Sequence, residues 1–255
     1  MEEWESALKM VRLLGAGAFS EVWLVEDGEG KRYACKVSGH AELLEREAAC
    51  HQSIRHPLFP KYLQFWKEGG KAYLLMEYIE GENLKYAVEI RGGFTARQAA
   101  DIGAQLADGL FYLHQLPEPV VFRDVKPENV ILARDGTVRL LDFGCACQAG
   151  RSADIAGSPG FGAPEQFVGG SVQTAAADVY GLGRTLEKIL EEGERGILRR
   201  IIQRCIEERP EDRLGDMREL AGMLRGCAKD GGRSLTGRQR AVLKGDLRLI
   251  KNICY

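Results

Sequence analysis

The apolar pattern of this chain changes period once, near Glu80-Gly81, and that change limits what it can fold into. Before it, short β-rich runs alternate with turn residues. Met10-Val11-Arg12-Leu13-Leu14 ends at Gly15. Glu21-Val22-Trp23-Leu24-Val25 and Arg32-Tyr33-Ala34-Cys35-Lys36-Val37 flank the turn cluster Asp27-Gly28-Glu29-Gly30, which predicts a hairpin. A helix is expected over residues 41–54. Arg55-His56-Pro57 stops it, because the residue before proline avoids the helical region. Residues 62–66 and 72–78 read as two more strands.

After Gly81 the period becomes helical. Thr95-Ala96-Arg97-Gln98 is a capping box, and Ala99, Ile102, Leu106, Leu110 and Leu113 then recur every three or four residues toward a stop near Pro117. A second hairpin is expected around Arg134-Asp135-Gly136, between residues 130–132 and 138–141. Residues 144–177, rich in Gly, Ala and Ser, read as a long loop, and such loops usually carry function. Three helices are expected near 178–192, 196–208 and 216–226. A strand-rich part followed by a helical part gives an α+β chain of two lobes, and a cleft between lobes is a common ligand site.

Composition excludes several classes. Lys+Arg of 35 against Asp+Glu of 37 gives a net charge of −2, so the chain is not a globally basic nucleic-acid binder and no nucleic acid is expected as a partner. No uncharged apolar run approaches the ~18–20 residues of a membrane helix. Met1-Glu2-Glu3-Trp4-Glu5 is acidic, unlike the start of a signal peptide. Seven cysteines, an odd count without small-scaffold spacing, read as reduced thiols of a cytoplasmic chain. Charge is uneven, however. Residues 229–255 carry seven Lys/Arg against two Asp, a net +5 that leaves −7 on the rest. Leu243, Leu247, Ile250 and Cys254 fall on one helical face there. A basic amphipathic helix suits an anionic membrane surface or a partner; the plainer reading is a helix packed on the body.

Four features bear chemistry. Gly15-Ala16-Gly17-Ala18-Phe19-Ser20-Glu21-Val22 joins two strands, and glycines there let backbone N–H groups approach phosphate oxygens. A glycine-rich hairpin turn fits as well, and a dinucleotide fingerprint does not, since a strand follows. Lys36 ends an apolar strand and is either a solvated edge lysine or a phosphate ligand. Glu47 on the next helix is its natural partner, or else part of an exposed face. Phe122-Arg123-Asp124-Val125-Lys126-Pro127-Glu128-Asn129 places an acid, a base and an amide in six residues, with Asp142-Phe143-Gly144 thirteen beyond Asn129. A carboxylate and an amide oxygen so placed suit Mg²⁺, a hard cation that takes oxygen ligands.

In this order and spacing the motifs resemble a protein kinase of the eukaryotic-like Ser/Thr type, from about residue 9 to 227. The resemblance implies the α+β bilobal protein-kinase fold, with a strand-rich lobe over 1–80, a helical lobe over 81–228 and a tail over 229–255. It implies Mg²⁺-dependent transfer of the ATP γ-phosphoryl group to a Ser/Thr hydroxyl of a protein or peptide. Gly15 to Val22 resembles the glycine-rich loop, so Leu14, Gly15, Ala16, Gly17, Ala18, Phe19, Ser20, Val22 and Ala34 are expected around the nucleotide. Lys36 matches the lysine on its phosphates and Glu47 the partner of that lysine. Met76 falls at the gatekeeper, with Glu77 and Ile79 as backbone contacts to adenine. Asp124 matches the catalytic base, Lys126 the substrate-side lysine, and Asn129 and Asp142 the metal ligands. Ser158 matches the residue that contacts the catalytic Asp and Lys. Ala163-Pro164-Glu165 closes the substrate-facing loop, with Arg213 as the structural partner of Glu165. Asp178-Val179-Tyr180-Gly181 resembles the start of the large lobe's central helix.

The chain departs from the family in three places. Phe122 stands where a histidine is usual, and is expected to pack on Phe143. His51 falls at an aliphatic position of the regulatory helix and is expected to be packed and satisfied. Only residues 184–200 separate Gly183 from Ile201, several tens fewer than usual, so the further helix that docks protein substrates is expected to be missing. Cys145-Ala146-Cys147 is poor zinc evidence; Cys145 is a candidate reactive thiol beside ATP, small packed thiols being the default. Ser152 is the candidate phosphorylation site, with Arg123 its expected partner. A nucleotide-gated scaffold without catalysis, or a kinase acting on a small molecule, are the rival readings. The compact body suggests a bacterial source.

Overall fold

The computed structural model describes residues 8–243, apart from the side chain of Val242. The chain divides into two compact units between Glu80 and Gly81. In the first, β1 (Lys9–Ala16), β2 (Glu21–Glu26) and β3 (Arg32–Ser38) form an antiparallel meander. After α1 (Ala41–Gln52), β4 (Tyr62–Glu68) and β5 (Lys71–Glu77) complete a five-stranded sheet of order β1-β2-β3-β5-β4.

Strand alternation sorts β3 onto two faces. Tyr33, Cys35 and Val37 pack with Val25 and Leu75 on one side. Ala34 packs with Leu44, Ala48 and Leu74 on the other, against α1. The same alternation puts Lys36 on the face of Ala34. On α1 the buried stripe is Leu44, Glu47, Ala48 and His51, at helical spacing. Glu47 is therefore inside the sheet–helix layer rather than on an exposed face. α1 stops two residues before the expected end. Ser53 N–H and Ile54 N–H take the carbonyls of Cys50 and His51, and Ser53 Oγ–H adds a bond to Cys50 O.

The second unit opens with β6 (Gly81–Asn83), α2 (Leu84–Arg91) and α3 (Ala96–His114). The periodic pattern did not show α2. Only Leu84 and Ala87 are buried in it, and it depends on its ends: Asn83 accepts from Lys85 N–H, and Gly92 closes it at φ 77°. The capping box of α3 forms as expected, with Gln98 N–H on Thr95 Oγ1 and Thr95 N–H on Gln98 Oε1. Ten of the nineteen α3 residues are buried, more than one amphipathic stripe, because alanines and glycines let neighbours close in. At Gly103 a Cβ would lie 2.8 Å from Leu186 Cδ2 and 3.2 Å from Leu224 Cδ1.

β7 (Val120–Val121), the hairpin of β8 (Val130–Ala133) and β9 (Val138–Leu140), and β10 (Cys147–Gln148) follow, with β6 adding to β8 and β10 to β7. The segment expected as one long loop is laced down after β10. Gly150 N–H donates to Gln173 O at 2.8 Å, Gln173 N–H to Arg151 O at 3.1 Å, and Ala153 N–H to Ser171 O at 3.3 Å. A 3₁₀ turn over Pro164–Phe167 lies between the laced segments.

α4 (Ala175–Ile189), α5 (Ile197–Cys205) and α6 (Met217–Asp230) are the three expected helices. Only residues 190–196 join α4 to α5. α6 ends in left-handed Gly231, and Gly232 lies close on Ile197, where a Cβ would be 2.8 Å from its Cδ1. Leu235 is buried, and a second capping box, Thr236 with Gln239, starts α7 (Gly237–Leu243). Leu243 is the first residue of the expected tail stripe. Leu247, Ile250 and Cys254 lie outside the described residues, as does the acidic start of the chain. No helix among the described residues is long and apolar enough to cross a membrane.

Candidate active site

In the first unit, Lys36 Nζ donates to both Glu47 oxygens, at 2.9 and 2.8 Å, with both side chains buried. Desolvation offsets most of the Coulombic gain of such a pair, so its main effect is to fix the ammonium in place. His51, one turn further along α1, donates from Nε2 to Pro60 O at 2.6 Å. Burial holds its pKa below the usual histidine value, and the bond to Pro60 opposes that. It is packed, satisfied and neutral at neutral pH.

The link between β1 and β2 is a tight turn, Gly17 N–H to Ser20 O at 2.8 Å. Phe19 is exposed; its carbonyl accepts from Ser38 Oγ at 2.6 Å and its ring meets His40 edge-on. A Cβ on Gly15 would touch nothing within 4 Å, so the protein's own packing does not demand glycine there. The bare backbone instead leaves room for an anion to approach. At the end of β5, Glu77 N–H is bound to Lys61 O at 2.9 Å. Any contact from Glu77 to a ligand through its backbone therefore uses the carbonyl.

In the second unit the acid Asp178, wholly buried in the first turn of α4, organises the strand-to-loop turn after β7. Its Oδ2 accepts from Phe122 N–H at 2.9 Å and His114 Nε2 at 2.8 Å, and its Oδ1 from Arg123 N–H at 2.7 Å. Gln166 Nε2 donates to Arg123 O at 2.8 Å. Bonded on both sides, Arg123 adopts φ 67°, a left-handed conformation that costs a non-glycine residue about 1 kcal/mol or more. Gln166 leaves room for no side chain at Gly157, where a Cβ would be 2.5 Å from Nε2. The sequence shows Asp178 only as a helix start, and nothing in it singles out Gln166. A carboxylate inside the apolar run Ala175–Tyr180 was the available signal.

The turn delivers Asp124 into a network. Its Oδ2 accepts from Lys126 Nζ at 2.8 Å and Asn129 Nδ2 at 2.9 Å; its Oδ1 accepts from Ser158 Oγ at 2.7 Å. Lys126 Nζ also donates to Ser158 Oγ at 2.6 Å. Asn129 Nδ2 is further bound to Asp124 O at 2.8 Å, so the amide oxygen is the atom left to meet a cation. Asn129 precedes β8 and Asp142 follows β9; Leu141 N–H on Asn129 O at 2.8 Å holds the two at one end of the hairpin. Asp142 has φ 74° and accepts from Gly144 N–H. An amide oxygen and a carboxylate fit a hard divalent cation.

Around this network, Phe122 meets Phe143 edge-to-face at 5.2 Å. The apolar contact expected where histidine is usual is present. Arg213 binds Glu165 through both terminal nitrogens, at 2.6 and 2.8 Å. Ser152 and Arg123 are not hydrogen-bonded to each other: Ser152 Oγ donates to Gly170 O, and Arg123 to Cys145 O and Asp154 O. Cys145 is half-buried, and burial first, then Asp124 and Asp142, push its thiol up to about 11, which disfavours it as a reactive site. Its thiolate fraction at pH 8 is then roughly a hundredfold below that of an ordinary cysteine. Iodoacetamide at pH 8, followed by mass mapping, should label Cys145 slower by about that factor in the native chain than in urea. Equal rates in the two states would contradict the raised thiol pKa.

The protein kinase domain family matches residues 8–195. The serine/threonine-protein kinase pkn2 of Myxococcus xanthus is 34% identical over 206 residues, covering 73% of this chain and 24% of that protein. The serine/threonine-protein kinase PrkC of Bacillus subtilis is 28% identical over 196 residues, covering 71% and 30%. The putative serine/threonine-protein kinase PRKY of Homo sapiens is 30% identical over 187 residues, covering 69% and 66%. The matched part of this chain spans less than two thirds of each of these relatives.

Proposed function

The chain belongs to the protein kinase family, and on that premise we propose that it transfers the γ-phosphoryl group of ATP to a serine or threonine hydroxyl of a protein, with Mg²⁺. Family membership implies ATP as substrate and a divalent cation. The oxygen donors Asn129 and Asp142 favour Mg²⁺ as that cation. The observation that carries the reading is the bonded set Asp124, Lys126, Asn129 and Ser158. It holds one carboxylate where an incoming hydroxyl can give up its proton. The Lys126-Pro127 pair and the names of the relatives favour serine and threonine as acceptors.

In this reading the loop from Gly15 to Val22, with Leu14 and Ala34, surrounds the nucleotide. The Glu77 carbonyl and the Ile79 N–H take adenine. Lys36, fixed by Glu47, binds phosphate oxygens. Asn129 and Asp142 hold Mg²⁺, which when bound offsets phosphate charge. Asp124 orients the acceptor hydroxyl and takes its proton. The hydroxyl oxygen bonds to the γ-phosphorus as the bond from that phosphorus to the ADP oxygen breaks. Lys126 faces the charge that builds on the transferring group. Positioning and charge neutralisation supply most of the rate. Lys36, Asp124, Asn129 and Asp142, whose loss would leave a nucleotide-gated scaffold, are all in place.

The test is label transfer from γ-labelled ATP with Mg²⁺ to a generic protein acceptor, with Lys36→Met in parallel. Wild type is expected to label serine or threonine, and Lys36→Met to fall by about 10²-fold or more, since one fixed cation on the phosphates is lost and Glu47 stays buried without it. A wild-type chain that is stabilised by ATP but transfers nothing would make the scaffold the better reading. Label found on tyrosine alone would overturn the acceptor class.

A further inference from the structure

The second unit contains a cavity of about 720 Å³ to which the network around Asp124 contributes no residue. It lies among the end of α2, the first turns of α3, the β8–β9 hairpin and the second half of α6. Phe94, Ile102 and Leu132 give it an apolar floor. Arg91, Arg97, Arg225 and Lys229 line it, against Asp101 as the one acid.

The charges are not all balanced. Arg91 pairs with Glu82 and lies over the Phe94 ring at 5.3 Å. Arg225 pairs with Asp108 at 2.6 Å. Asp101 accepts from Gln105 Nε2 at 3.2 Å. Arg97 and Lys229 are exposed and have no carboxylate partner among the described residues. Two unpaired cations on two helices thus line one apolar-floored cavity, and concave walls of one charge sign focus an attractive field for anions. α2, whose last residue lines the cavity, also exposes Tyr86 by 61% and Ile90 by 78%, one helical turn apart on the same face. The helix on which the family docks protein substrates has no room in residues 190–196. A kinase built this way needs another place to hold its protein substrate.

We propose that this cavity docks an acidic peptide segment of the protein substrate. Carboxylates of the segment meet Arg97 and Lys229, and an apolar side chain enters onto Phe94, Ile102 and Leu132. The consequence for catalysis rests on the kinase reading; the binding does not.

The probe is a labelled peptide of glutamates interrupted by two leucines, compared with its glutamine counterpart, on the full chain by fluorescence anisotropy. Wild type should bind the glutamate peptide about tenfold or more tighter than the glutamine peptide. The charge reversal Arg97→Glu with Lys229→Glu should abolish that preference. Arg97→Gln with Lys229→Gln should reduce it, and the equal-charge control Arg195→Glu with Arg238→Glu, both exposed, should retain it. All four positions are exposed and have no carboxylate partner among the described residues, so the core is untouched. Joined to an acceptor serine, the glutamate segment should lower KM with kcat unchanged, as uniform binding does. Wild type that binds neither peptide, or both equally, overturns the proposal, as does a control that loses as much as the cavity variant. Docking without any label transfer would sink the kinase reading and leave the docking site. Transfer to the serine peptide with no gain from the acidic segment would sink the docking site and leave the kinase.

Discussion

Asp124→Asn is expected to lower phosphoryl transfer by about 10²–10⁴-fold while ATP still binds. A carboxylate offers about four acceptor positions. Three are taken on Asp124: Lys126 and Asn129 on Oδ2, Ser158 on Oδ1. The fourth lies on Oδ1 and is available to a substrate hydroxyl. Asparagine keeps the shape but turns one oxygen into an NH₂ donor. That donor cannot face Lys126 and Asn129, which themselves donate, so it takes the Oδ1 side. There the Ser158 hydroxyl can rotate, but an acceptor for the substrate proton is gone. The carbonyl left at Oδ2 keeps Lys126 and Asn129 in place, so the fold and the cation ligands persist. Measured kcat should collapse, with KM for ATP and the ATP-induced rise in Tm little changed. A variant that kept more than about a tenth of wild-type kcat would show that Asp124 positions the hydroxyl without accepting its proton.

The same residues show what a sequence can and cannot disclose. Lys36 and the β3 pattern around it were legible, because strand alternation is local and Ala34 and Lys36 must share a face. The burial of Glu47 was not, since a carboxylate on a helix reads as exposed until a cation is known to lie across from it. The Asp124 cluster was legible as an ordered motif, and Ser158 with it. Its support was not. Asp178 holds the turn at Phe122 and Arg123 from 56 and 55 residues away, and no period in the sequence records that bond. The left-handed backbones of Arg123 and Asp142 were hidden for the same reason: neither is glycine, so only tertiary bonds explain them. α2 leaves no periodic signal because its stability comes from Asn83 and Gly92 rather than from a stripe. The segment after β10 reads in the sequence as a long functional loop, because a ladder of backbone bonds carries no side-chain pattern.

Arg213→Ala is expected to cost about 3–5 kcal/mol of stability, on the order of 10 °C in Tm, without a direct effect on chemistry. Guanidinium has five N–H donors, and all five are used. Two go to Glu165, one from Nε to Glu207 O at 2.8 Å, one from Nη1 to Ala176 O at 3.0 Å, and one from Nη2 to Glu208 O at 2.8 Å. The side chain is fully buried and lies 4.9 Å from the Tyr180 ring. One residue thus ties the 3₁₀ turn after Ala163, the first turn of α4 and the chain after α5. Removing it leaves the Glu165 carboxylate, itself mostly buried, without its counter-ion and three carbonyls without these donors. Lysine is no substitute, because a point charge cannot reproduce the fork, so Arg213→Lys should also lose stability, though less. The informative comparison is Arg213→Met with Glu165→Met. If the unpaired acid is the main cost, removing both charges should recover part of what Arg213→Ala loses, as apolar replacements of buried ion pairs often do. If instead the double variant is no more stable than the single one, the cost lies in the three carbonyls, and the arginine acts as a backbone clamp rather than as an ion-pair partner. Since Glu165 follows the loop that carries Ser158, either result predicts that loss of this pair loosens the loop before it disturbs the turn held by Asp178. Protection of the Ser158 loop amides in hydrogen exchange should therefore fall before that of Phe122 and Arg123.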